Sequence, residues 1–77
     1  METQLAIPLS VAEEGQTVSI VNITAGRGLR TRLTSMGLLP KTKIIVLRNS
    51  GAGPFVIRIK NTRMALGRGV AEKIMVI

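Results

Sequence analysis

Leu29-Arg30-Thr31-Arg32-Leu33-Thr34-Ser35-Met36-Gly37-Leu38-Leu39-Pro40 is the stretch whose reading decides the fold. Residues 28–36 read as a short helix. At about 100° per residue, Leu29, Leu33 and Met36 fall on one narrow stripe, with Arg30 and Arg32 flanking it on opposite sides. Gly37 is placed to take the left-handed backbone that ends a helix. Leu38 can then fold back onto the last turn, and Pro40 prevents continuation. A helix this short, in a chain of 77 residues, needs another element to bury its stripe.

That element is written in strand periodicity on both sides of the helix. Upstream, Thr17 to Ile23 is β-rich, with Val18 and Ile20 facing one way and Ser19 and Val21 the other. Downstream, Lys43 to Asn49 sets Ile45 and Leu47 against Ile44 and Val46, a pattern that predicts cover on both faces. Ser50 to Pro54 is a turn cluster. Phe55 to Lys60 alternates cleanly, with Phe55, Ile57 and Ile59 inward and Val56, Arg58 and Lys60 outward. After an Asn61-Thr62 turn, Met64 to Leu66 forms a short strand and Ile74 to Ile77 a closing one. Ser10 with Glu13 fits a capping box and Gly15 a helix stop, so a helical turn is expected near 10–14. Another is expected near 68–73. Five short strands and one small helix predict a mainly β, partly open five-stranded barrel, a single domain over residues 1–77.

Composition narrows the chemistry. The chain has no Cys and no His, which removes disulfides, thiolate nucleophiles, the usual metal ligand and the usual general base. Asp is absent too, leaving Glu2, Glu13, Glu14 and Glu72 as the only acids. No catalytic residue, metal site or cofactor is expected, and a binding module is. The longest strongly apolar run is Ile44 to Leu47, against about 20 residues for a membrane span. No secretory signal precedes it, so a cytoplasmic location is expected.

Charge is placed unevenly. Residues 15–71 hold no acid and ten of the bases, within a net charge of +7. Such a field favours an anionic partner: nucleic acid, a membrane surface, a nucleotide or an acidic protein. Gly26-Arg27-Gly28-Leu29-Arg30-Thr31 begins like a dinucleotide fingerprint, but Thr31 stands where the third glycine belongs and no acid follows at the ribose position. Nucleic-acid binding on a small barrel needs aromatic stacking platforms, and Phe55, the one aromatic, is assigned to the core. Glu13-Glu14 reads as a solvated turn, Met36 and Met64 as core filler, and Gly67-Arg68-Gly69 as a turn.

The order and spacing of the helix, the Met36-Gly37-Leu38 stop, Pro40 and the strands after it resemble the FeoA family, ferrous iron transport protein A. Pro8-Leu9-Ser10 resembles the family's opening turn, and Met64-Ala65-Leu66 with Val70-Ala71-Glu72 and Ile74 to Val76 its closing segment. The resemblance implies an SH3-like barrel and an accessory role beside FeoB, the membrane permease with a cytoplasmic GTP-binding domain. A related domain ends iron-dependent DtxR-type repressors, so a regulatory or transition-metal-binding role is the family-level alternative. Members often carry Gly after the proline where this chain has Lys41, and a different backbone solution is expected at that turn.

Together these readings predict a non-enzymatic adaptor, peripheral at the inner face of the membrane. Its basic surface would dock on the FeoB-like permease or the anionic membrane beside it. Arg27, Arg30 and Arg32 around the helix, with Arg58 and Lys60 on the outward strand face, are the expected contact residues. Leu29, Leu33, Met36, Gly37, Leu38 and Pro40 are the expected structural motif, anchoring the helix over the barrel mouth. Nucleic-acid binding is the competing reading, and exposed strand edges with Val56 leave a dimer or trimer open.

Overall fold

The computed structural model describes residues 5–51 and 53–77; Glu2, and Ala52 within the Ser50 to Pro54 turn cluster, lie outside them. In chain order the elements are β1 (Ile7–Pro8), a 3₁₀ turn (Leu9–Val11), β2 (Thr17–Ile23), α1 (Arg27–Ser35), β3 (Lys43–Arg48), β4 (Phe55–Ile59), β5 (Thr62–Leu66), α2 (Arg68–Ala71) and β6 (Ile74–Val76). The described strands form one antiparallel sheet in the order β1-β6-β2-β3-β4-β5. It curls around a single aliphatic core without closing.

Two bulges do the curling. Between Ile20 and Asn22, β2 spends two residues against one of β6, and Val46 to Arg48 does the same against β4. A bulge bends its strand and shifts the inward phase by one. The buried residues of β2 therefore run Val18, Ile20 and then Ile23 rather than Asn22.

The core is aliphatic with Phe55 in it, and it holds no polar side chain among the described residues. Inward positions Val18, Ile20, Ile44, Val46, Phe55, Ile57, Ile74 and Val76 meet Leu9, Leu33 and Leu38 from outside the sheet. The helix stop forms as its sequence dictates. Gly37 has φ +96°, its N–H donates to Thr34 O (3.0 Å), and the Leu38 N–H donates to Leu33 O (3.0 Å). This pair of bonds is the Schellman arrangement, and it folds Leu38 fully into the core.

Several expectations need correction. A sixth strand, β1, pairs Ile7 with Val76 and Pro8 with Met75; two residues ending in Pro carry no strand signal, and an edge position tolerates the missing N–H. The capped turn near 10–14 is instead the 3₁₀ turn Leu9–Val11, which begins at Pro8 without a side-chain cap. The Glu13 N–H donates to Gln16 Oε1 (2.9 Å) rather than entering a capping box. The turn expected over 68–73 contracts to α2.

Met36 leaves the buried stripe and is 43% exposed, whereas Leu33 is buried and Leu29 half-buried. Only the direction of Leu33 faces the sheet, and Met36 lies about 60° around the helix from it. β3 is covered on one face alone, leaving Ile45 exposed, because no element among the described residues covers the outer side of the sheet there. The hairpin turn is Lys60-Asn61 rather than Asn61-Thr62, since Ile59 pairs directly with Thr62. Lys60 thus sits in the turn and not on the strand face. Val56 is half-buried.

Burial sets the stability ranking along this segment. Leu33→Ala or Leu38→Ala is expected to cost about 2–5 kcal/mol in urea unfolding, and Met36→Ala about 0.5 kcal/mol or less. Gly37→Ala should cost about 1–2 kcal/mol through backbone strain alone, since a Cβ there meets nothing within 4 Å. Equal unfolding midpoints for Leu38→Ala and Met36→Ala would contradict the packing described.

Candidate functional site

The cations divide between two surfaces. On α1, Arg27 and Arg32 are exposed. Arg30 is exposed but anchored, its Nη2 donating to Ile23 O (3.0 Å). It stands about 60° from Leu33, on the side away from Met36, which brings its guanidinium to the end of β2. A cleft of about 180 Å³ opens there, lined by Asn22, Ile23, Arg30, Thr34, Leu38 and Pro40.

The second surface is the outer face of the sheet. Register places Thr17 opposite Ile45, Ile45 opposite Arg58, and Arg58 opposite Arg63, a row running across β2, β3, β4 and β5. Lys43 precedes Ile45 by two on the same strand and so shares its face. Arg58 directly across from Arg63 is a like-charge pair, destabilising by roughly 0.2–1 kcal/mol. No acid of the sequence falls on any of these strands.

Backbone geometry adds two more cations. Lys41 has φ +74° and Lys60 φ +55°, and they are the only non-glycine residues with positive φ among those described. The different turn expected at Lys41 is not found: lysine takes the left-handed backbone a glycine would take there. The Lys41 N–H donates to Ile20 O (2.7 Å), the Ile20 N–H to Thr42 O (2.9 Å) and the Thr42 N–H to Leu39 O (3.0 Å). Those bonds hold a conformation that costs a side-chain-bearing residue about 1–2 kcal/mol. Lys41, Lys43, Arg58 and Lys60 then converge on one open basin of about 490 Å³, with Thr17, Thr42 and Ile45 completing it.

Of the five expected contact residues, the fold brings Arg58 and Lys60 together in this basin. Arg27, Arg30 and Arg32 stay on the helix, and none of them lines it. Lys41 and Lys43 escaped the sequence reading. Strand alternation carried the signal for Lys43, and the lysine in a glycine position carried it for Lys41.

Arg68 was missed as well. From the start of α2 its guanidinium carbon lies 5.8 Å from the Phe55 ring centroid, a cation–π distance. Its Nε and one Nη are buried with no hydrogen-bond partner among the described residues. No group of three or more potential metal-ligating His, Cys, Asp or Glu side chains occurs among the described residues.

Two measurements follow from this geometry. Arg30→Glu should destabilise the fold by about 1–3 kcal/mol, by losing the bond to Ile23 and setting a carboxylate beside its carbonyl, whereas Arg32→Glu should stay within about 0.5–1 kcal/mol. Lys41→Gly should hold or raise the melting temperature because glycine is unstrained there, while Lys43→Gly, within a strand, should lower stability by about 0.5–1 kcal/mol. Similar losses for both glycine variants would contradict the strain at Lys41.

The FeoA domain model matches residues 7–77. A protein of Methanocaldococcus jannaschii bearing the name "Putative Fe(2+) transport protein A" is 46% identical over 69 residues, covering 90% of this chain and 83% of its own. The crystal structure of an iron uptake regulatory protein, FeoA, superposes with a TM-score of 0.83 at 37% identity, over 95% of this chain and 96% of that one. At 18% identity, the zinc complex of Stenotrophomonas maltophilia FeoA, described as a prokaryotic SH3 domain protein, shares the fold with a TM-score of 0.80 over 96% of this chain and 91% of that one. With an SH3-like sheet, the Gly37-Leu38 stop and a family match spanning nearly all of its length, this chain belongs to the FeoA family of Fe²⁺ transport proteins.

Proposed function

We propose that this protein is an accessory factor of ferrous iron uptake that acts by docking on the transporter rather than by handling iron. The observation that carries the reading is the acid-free basic surface formed by α1 and the outer sheet face. Iron is the cargo of the system, and a chain without Cys or His lacks the ligands transition metals favour most. A protein contact is the remaining way to influence transport. The partner is a FeoB-like membrane permease, met on its cytoplasmic GTP-binding side, with the anionic headgroups beside it as secondary attraction.

Arg32 projects from α1 on the side of the exposed apolar Met36, a mixture of charge and apolar surface suited to protein contact, and Arg27 is exposed at the start of the same helix. Arg30, tied to Ile23, holds the helix in place and lines the cleft beside it. Arg58 and Lys60 extend the field across the sheet. No helix among the described residues is long and apolar enough to cross a membrane, so the transporter supplies the membrane part of the assembly. The nucleic-acid reading lacks a stacking platform, because Phe55 is fully buried.

Co-purification with the permease tests the proposal. The Arg27→Glu/Arg32→Glu double variant should fold normally yet lose at least tenfold in association. Its remaining binding should depend less on salt than that of the parent, and cellular ⁵⁵Fe²⁺ uptake should fall with it. Unchanged association and uptake in that variant would remove the basic face as the docking surface.

A further inference from the structure

We infer that the basin on the outer sheet face is a binding site for linked phosphates, a chain of two or three carried free or on a nucleoside. The two strained lysines carry the inference. Left-handed backbone at non-glycine residues gathers at functional sites, where surrounding structure holds it against its strain. Here it occurs at two positions among those described, both are lysines, and both line the same basin.

Lys41 reaches the basin from the loop before β3 and Lys60 from the β4–β5 turn. Lys43 on β3 and Arg58 on β4 complete the set, Arg58 directly across from Ile45. Four cations thus converge with no acid among the lining residues. This arrangement repels itself when empty and is relieved by a compact polyanion.

The donor set suits a compact anion of several charges. Three of the four cations are lysines, point charges that bind phosphate oxygens without requiring a two-pronged geometry. Thr17 and Thr42 add hydroxyl donors for further phosphate oxygens. A volume of about 490 Å³ falls within the range of small-molecule sites, and Ile45, 37% exposed, gives an apolar floor against which a sugar or base can rest. The basin shares Arg58 and Lys60 with the proposed docking surface, but its ligand is a small anion and its contacts exclude Arg27 and Arg32, so a variant at those two residues separates the two readings.

Titration of the full-length protein with inorganic tripolyphosphate, followed by amide NMR shifts and calorimetry, tests it. One-to-one binding is expected, with the largest shifts at Thr17, Lys41 to Ile45 and Arg58 to Lys60, and affinity at least tenfold above that for orthophosphate. Lys41→Gly/Lys60→Gly removes both charges while relaxing both backbones, so it should stay folded and bind at least tenfold more weakly. Arg27→Glu/Arg32→Glu, with nearly the same stability, should bind as the parent does. A magnesium-free nucleoside triphosphate binding more tightly than tripolyphosphate would identify the nucleotide as the source, and equal affinity the phosphate chain alone; both support the site. Undiminished binding by the double-glycine variant, or equal affinity for a glutamate-rich peptide of matched charge, would overturn it.

Discussion

Everything downstream of α1 depends on two hydrogen bonds at its end, from Gly37 N–H to Thr34 O and from Leu38 N–H to Leu33 O. They convert a nine-residue helix into a reversal that drops Leu38 into the core and delivers the chain to β2. There the loop makes a further exchange, Lys41 with Ile20 and Ile20 with Thr42, which fixes where β3 begins. A nine-residue helix has little stability of its own in water. Leu33 and Leu38 therefore hold the helix on the sheet as much as they fill it. The aliphatic core and the helix stop are one device, and the position of every cation from Arg27 to Lys43 follows from it.

The charge pattern works against the core rather than for it. Arg58 faces Arg63, two lysines sit on strained backbone, and Arg68 keeps part of its guanidinium buried over Phe55. A sequence selected only for stability would dilute these features, because glycine at two turns or an acid on β5 would relieve them at no loss of packing. Their survival in a domain this small, where few kilocalories separate folded from unfolded, points to work done at the surface. The helix and the sheet present that charge differently: with scattered arginines beside exposed apolar side chains in one case, and with convergent lysines around a concavity in the other.

How much of this the sequence exposed depended on whether the signal was local. The helix stop was readable because Gly, an apolar residue and Pro act within five positions of one another. β4 was readable because its inward and outward residues differ in kind. Met36 and Ile45 were misread for a shared reason. Apolar periodicity gives the direction of a face but not whether another element covers it, and coverage is decided by a helix too narrow to shelter Met36 and a sheet with one bare side. Lys41 showed in the sequence as a lysine where glycine fits, but its place in the basin did not, because its backbone is fixed by bonds to Ile20, a residue 21 positions earlier. The division of the basic residues into two surfaces is a product of the curl, to which both bulges contribute, and neither bulge has a marker residue such as glycine.

The strand order has a consequence for how the molecule is made. β6 lies between β1 and β2, so the strand furthest along the chain among those described inserts between the two earliest and brings two fully buried side chains, Ile74 and Val76. Until then the meander from β2 to β5 can assemble by neighbouring hairpins, but β2 keeps one unpaired edge beside an unfilled gap in the core. Such an edge is an invitation to pair with another chain. Synthesis of this protein thus carries an interval of vulnerability that lasts until β6 slides into its slot, and chaperone protection would matter most during that interval.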